Sequence, residues 1–126
     1  MAQTGQPFVV NEEGTLRITA LVTDELGVAI PGSSLTTMTY TLYDLASDAI
    51  INLRSAVDIK ANVDASGNLV LVLLPADNPI VAPTKVARGA RERHIVLFKW
   101  TYATGRGHWT EVQVDVVNLN RVPVVA

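Results

Sequence analysis

Apolar and polar residues alternate with a period of two in run after run of this chain, and the runs end in Gly, Pro, Asn or Asp. "SLTTMTYTLYD" (34–44) sets Met38, Tyr40 and Leu42 against Thr37, Thr39, Thr41 and Tyr43. "TLRITALVT" (15–23) places Leu16, Ile18, Ala20 and Val22 on one side. Successive side chains of a strand point to opposite faces, so this period specifies strands with one dry and one wet face. The breakers between the runs are turn residues at fairly regular spacing, which is the punctuation of an all-β protein.

The connections fill in the order. "DELGVAIPG" (24–32) joins the first two long strands, and "LASDAIINLRSAV" (45–57) accommodates either a short edge strand at Ile50–Leu53 or a helical turn. "DIKANV" (58–63), "DASGN" (64–68) and "LVLVLL" (69–74) read as a hairpin, with Gly67 supplying a positive φ. "PADNPIVAPTKVARGARER" (75–93) has neither period and reads as a long crossover loop, with one helical turn at 76–81. "HIVLFKWTYA" (94–103) and "HWTEVQVDVV" (108–117) form the last hairpin around "TGRG". An even loop would set Phe98, Trp100 and Tyr102 against Gln113, Glu111 and Trp109. An odd loop with a left-handed glycine buries the apolar sets together, and pairs Trp100 with Thr110, Phe98 with Val112 and Val96 with Val114. The expected fold is an Ig-like antiparallel β-sandwich of about seven strands with Greek-key connections. It spans 1–126 as one domain, with extended arms at about 1–13 and 118–126, and its core rests on Trp100, Phe98, Leu71, Tyr40 and Leu42.

At 126 residues one core can bury roughly two thirds of the surface of the unfolded chain. The sequence holds no cysteine, so neither a disulfide framework nor a thiolate metal site is available. The opening "MAQTGQPFVV" lacks the pattern of a secretory signal, and no apolar run reaches the ~18 residues of a membrane span, so a soluble protein without membrane partners is expected. Charged residues make up 17%, against about 25% in ordinary domains, which leaves little surface kept purely for water. The net charge of −2 is unevenly spread: residues 1–84 carry −6, residues 85–106 carry +5 and the remainder −1.

Signatures of chemistry are missing. His94 and His108 lie near opposite ends of paired strands with no third ligand at metal spacing, so they read as strand-end histidines and no metal is expected. "DASGN" lacks the alternating oxygen ligands of a calcium loop and reads as a turn. No G-x-S-x-G elbow surrounds Ser33, Ser34, Ser47, Ser55 or Ser66, and no phosphate-cradling glycine loop occurs. We therefore expect neither an enzyme nor a cofactor. The basic stretch "KVARGARERH" (85–94) fits a solvated loop, contact with an acidic patch on a neighbouring subunit, or nucleic acid; the acidic balance and the lack of stacking aromatics disfavour the last.

Two strands are apolar on both faces. "LVLVLL" leaves Val70, Val72 and Leu74 opposite the core set, and "HIVLF" leaves Ile95 and Leu97 opposite Val96 and Phe98. Each sheet of a two-layer sandwich has one inner face, so these side chains need a cover from the chain's own arms and crossover loop or from a neighbour. The succession "GTLRITALVTDELGVAIPGSSLTTMTYTLYD", "IINLRSAVDIKANVDASGNLVLVLLPADNPIV" and "HIVLFKWTYATGRGHWTEVQVDVVNLNRVP" resembles small Ig-like structural proteins of tailed bacteriophages. The likeness runs from about Gly14 to Pro123 and rests on the strand pattern, the "D-x-x-G-x-x-I-P" turn and the "V-x-N-L-x-R-V-P" ending. It implies a virion component, assembled in the host cytoplasm, that decorates or joins capsid, neck or tail subunits as a homo-oligomer or lattice-bound copy. The alternative is a carbohydrate-binding or host-adhesion module, for which Trp109 and Tyr43 are the candidate sugar platforms. The expected contact residues are Phe8, Val9, Val10, Arg88, Arg91, Arg93, Arg121, Val122 and Val124, with apolar burial driving association and the arginines orienting it.

Overall fold

A computed structural model describes residues 7–81, 90–103 and 105–118. Seven strands form two sheets: β1 (Phe8–Asn11), β2 (Leu16–Leu21), β3 (Thr37–Asp44), β4 (Val57–Asp58), β5 (Asn68–Leu73), β6 (Arg91–Thr101) and β7 (Gly107–Val117). One sheet has the order β1-β7-β6-β3-β4, and the other pairs β2 with β5. The chain is thus an all-β sandwich.

The alternation sets the faces. Met38, Tyr40 and Leu42 of β3 lie opposite Trp100, Phe98 and Val96 of β6, and all six are buried. Ile18 of β2 lies opposite Leu71 of β5, and the two join the same core from the second sheet. All five residues expected at the centre of the core are in it.

Two connections reuse one local device. Asp24 accepts the N–H groups of Leu26 and Val28 on Oδ1, and Gly27 sits at φ 78°. Asp64 accepts those of Ser66 and Asn68 in the same way, and Gly67 sits at φ 83°. In both turns an aspartate satisfies backbone donors that no strand could, and a glycine takes the left-handed position. In "DASGN" the carboxylate is therefore engaged by the backbone, as its turn reading requires.

Four expectations change. The arm expected over residues 1–13 contains a strand: β1 pairs with β7 in parallel, Phe8 with Val114 through Asn11 with Val117, in an otherwise antiparallel sheet. The alternation of "FVVN" turns Phe8 and Val10 inward, and pairing satisfies the open edge of β7. The segment 58–63 is not a strand against β5. It turns through a 3₁₀ helix at Lys60–Asn62, leaving a single bridge, Val63 to Leu69. Ile50 makes one bridge to Tyr43 while Asn52 and Leu53 adopt left-handed conformations, so no strand runs over 50–53. In the last hairpin the odd loop and the left-handed Gly105 are present, but the register is displaced by two residues. Trp100 faces His108, Phe98 faces Thr110 and Val96 faces Val112. The displacement is even, so each side chain keeps its expected face.

Candidate functional site

The inner face of the large sheet changes character at one end. Above Leu42 and Val96 the same inward positions are taken by Asp44 on β3 and by His94 and Glu92 on β6, with Asp44 directly opposite His94. All three are buried. His94 Nε2 lies 2.6 Å from Glu92 Oε1 and 4.0 Å from Asp44 Oδ1. Glu92 Oε1 also accepts the Val81 N–H at 2.7 Å. Asp44 Oδ2 accepts the Ser47 hydroxyl at 2.6 Å and its N–H at 3.2 Å. Asp44 Oδ1 and His94 Nδ1 have no hydrogen-bond partner among the described residues. Ser47 bonds to the carboxylate and not to the imidazole, so the order of a serine nucleophile, base and orienting acid is not present here.

The sequence reading treated His94 as an isolated strand-end residue. The signal that finds the cluster is the strand period itself: continuing the inward set Phe98, Val96 leads to His94 and Glu92, and continuing Tyr40, Leu42 leads to Asp44. His108, by contrast, pairs with Trp100 at the far end of β6 and stacks near Tyr102, with ring centroids 6.2 Å apart.

A second polar group ties the crossover to the body of the sandwich. Asp77 Oδ1 accepts Asn52 Nδ2 at 2.8 Å and Arg54 Nε at 3.0 Å, while Oδ2 accepts the Leu74 N–H at 2.9 Å. Burial alone would raise the Asp77 carboxyl, but these three donors together outweigh it and hold the group below the usual carboxylate range. Arg54 is held correspondingly above its usual value by the bond to Asp77.

The expected contact residues are scattered. Val10 is buried, Phe8 packs half-buried against the core, and Val9 points outward opposite Asp115. Arg93 grips Asp115 with two donors, Nε at 2.8 Å and a terminal nitrogen at 3.2 Å, and Arg91 approaches the same carboxylate at 3.8 Å. The Asp115 carboxylate holds the Arg93 guanidinium above its usual pKa through the hydrogen bond and the charge. Arg88, Arg121, Val122 and Val124 lie outside the described residues.

The doubly apolar strands divide. Ile95 is enclosed at 1% exposure, flanked by Tyr43 and Gln113 on the outer face of the central strand, and Leu97 is half-buried. Of the two covers expected for it, Ile95 has the chain's own. On the smaller sheet Val72 and Leu74 stay exposed at 36% and 52%, with Leu21 at 39% and Val70 half-buried on the same side. Here Val72 is flanked by Arg17 of β2 alone. Comparison of the chain with family models, with curated proteins and with solved structures gives no match in any of the three.

Proposed function

We propose that this chain is a non-enzymatic structural protein of a tailed-phage virion, decorating or joining capsid or neck subunits. The observation that carries the reading is the exposure of Leu21, Val72 and Leu74 on the outer side of the β2–β5 layer, where they share the face with Arg17, Thr19 and Asn68. Removing apolar surface from water at ~25 cal/mol per Å² gives such a patch a modest but useful driving force, and a neighbour fixed in a lattice lowers the entropic cost of using it. The low charge content and the resemblance to Ig-like phage proteins support the same reading. Val9 extends the contact set on the large sheet, and Arg88, Arg121, Val122 and Val124 belong to the crossover and C-terminal segments that would reach neighbours. Arg91 and Arg93 would meet a partner as a pair already shared with Asp115, which suits orientation more than affinity.

The test is mass spectrometry of purified particles whose genome encodes this chain. The expected result is the protein at defined stoichiometry, lost on V72E/L74E substitution, and its absence from wild-type particles would refute the reading. A carbohydrate-binding module is the second reading, favoured by Trp109, which is 62% exposed beside Lys99 on the outer face that also bears Tyr43. Glycan-array binding lost on W109A would support it.

A further inference from the structure

We infer that the corner formed by Asp44, Glu92 and His94 is a binding site for a divalent transition-metal ion of the zinc type. One ligand atom from each residue lies within 4.8 Å of the other two, and each residue is more than nine-tenths buried. Asp44 Oδ1 is the observation that points to a ligand: it is enclosed, has no hydrogen-bond partner among the described residues, and lies on the Nε2 side of His94. Among the described residues no arginine or lysine pairs with Asp44.

The charges argue in the same direction. Asp44 is a carboxylate held out of water with no arginine or lysine beside it among the described residues, and a divalent cation would supply positive charge there. The donor set is one imidazole nitrogen and two carboxylate oxygens, which suits a borderline ion and lies between the all-oxygen preference of calcium or magnesium and the thiolate preference of softer ions. Zinc bonds of 2.0–2.2 Å in a tetrahedron place ligand atoms about 3.3 Å apart. The 2.6 Å and 4.0 Å separations from Nε2 bracket that value, so small side-chain rotations of opposite sense bring the set to it. In binding, the Nε2 lone pair coordinates the ion while the single proton of the neutral ring sits on Nδ1, so the neutral imidazole changes tautomer and no proton is lost. Ser47 on the outer oxygen of Asp44 then holds that carboxylate in orientation. The ion would clamp the end of β3 to the start of β6.

The experiment uses the full chain without a histidine tag, stripped with a chelator and then dialysed against zinc chloride. One equivalent is expected in a calorimetric titration. Removing an outer-sphere partner by S47A is expected to weaken affinity about tenfold to hundredfold, and D44N or H94Q to weaken it further. H108Q is expected to bind as the native chain does. Because D44N removes a buried charge, its metal-free form should unfold at a denaturant midpoint no lower than the native one, which keeps the test valid if H94Q does not fold. No uptake by the native chain, uptake by D44N equal to it, or loss of uptake in H108Q would each overturn the assignment.

Discussion

The indole N–H of Trp100 donates to the backbone carbonyl of Thr23 at 3.0 Å, a bond that crosses from the large sheet to the connection just after β2 and joins residues 77 apart in sequence. Trp100 is 2% exposed, and the neighbouring backbone continues the tie, since the Ile30 N–H reaches Val22 and the Val22 N–H reaches Gly67. Trp100→Phe would remove both the second ring and the donor, leaving a buried carbonyl unpaired. A loss of about 2–4 kcal/mol is expected from the cavity and the hydrogen bond together. Urea unfolding measures it, and acrylamide quenching of the W109F variant should show the remaining indole shielded from solvent.

Gly32 marks the closest approach of two connections. A Cβ built there would lie 2.2 Å from the Val63 carbonyl oxygen, and the Gly32 N–H donates to Asp64 at 3.0 Å. The obstacle is backbone, so it cannot rotate aside. Gly32→Ala is expected to cost about 3 kcal/mol or more by overpacking, whereas Ala at the exposed Ser33 should leave the urea midpoint nearly unchanged.

Asp77 gives the fold an acid limit. Its folded pKa lies below the unfolded value, so its contribution is fully present above the unfolded pKa, near 3.9, and is lost as pH falls through the folded pKa. Asp77→Asn is expected to lower stability at pH 7 by about 1–3 kcal/mol, the range for hydrogen bonds to a charged group. Urea midpoints of the native and D77N proteins should then converge as the pH falls through the folded pKa. A constant gap between them from pH 7 to pH 2.5 would show that Asp77 is not the titrating group.

Most of the large sheet was legible in its sequence because the period of two fixes faces without needing the partner strand. The same property explains the hairpin: an odd loop suffices to bring Phe98 and Val112 to one side, but which residue takes the left-handed position decides the register, and Gly105 and Gly107 are both candidates. Gly105 takes it, at φ 71°, while Gly107 pairs with Thr101. Which cover Ile95 takes is not legible from alternation, because burial of an outward residue depends on its flanks in the sheet. A residue on the central strand β6 is flanked by Tyr43 and Gln113, and one on the edge strand β5 has a single flank. The cluster at His94 went unread for a related reason, since Asp44 is 50 residues away in sequence and becomes its neighbour through the β3–β6 register alone.

Thr110 offers a change in the stabilising direction. Its side chain occupies an inward position opposite Phe98, is 4% exposed, and its hydroxyl has no hydrogen-bond partner among the described residues. The hydroxyl was desolvated on folding without compensation, and the flanking inward positions on β7 include Val112. Thr110→Val keeps the shape and the β-branching that the strand favours while replacing the hydroxyl by a methyl. A gain of about 1 kcal/mol is expected from relieving the unsatisfied group. Thr110→Ser keeps the hydroxyl and deletes the methyl, and it should lose stability by a similar amount. Thermal and urea unfolding of the three proteins ranks them, and Val falling below Thr would mean that the hydroxyl has a partner in solution.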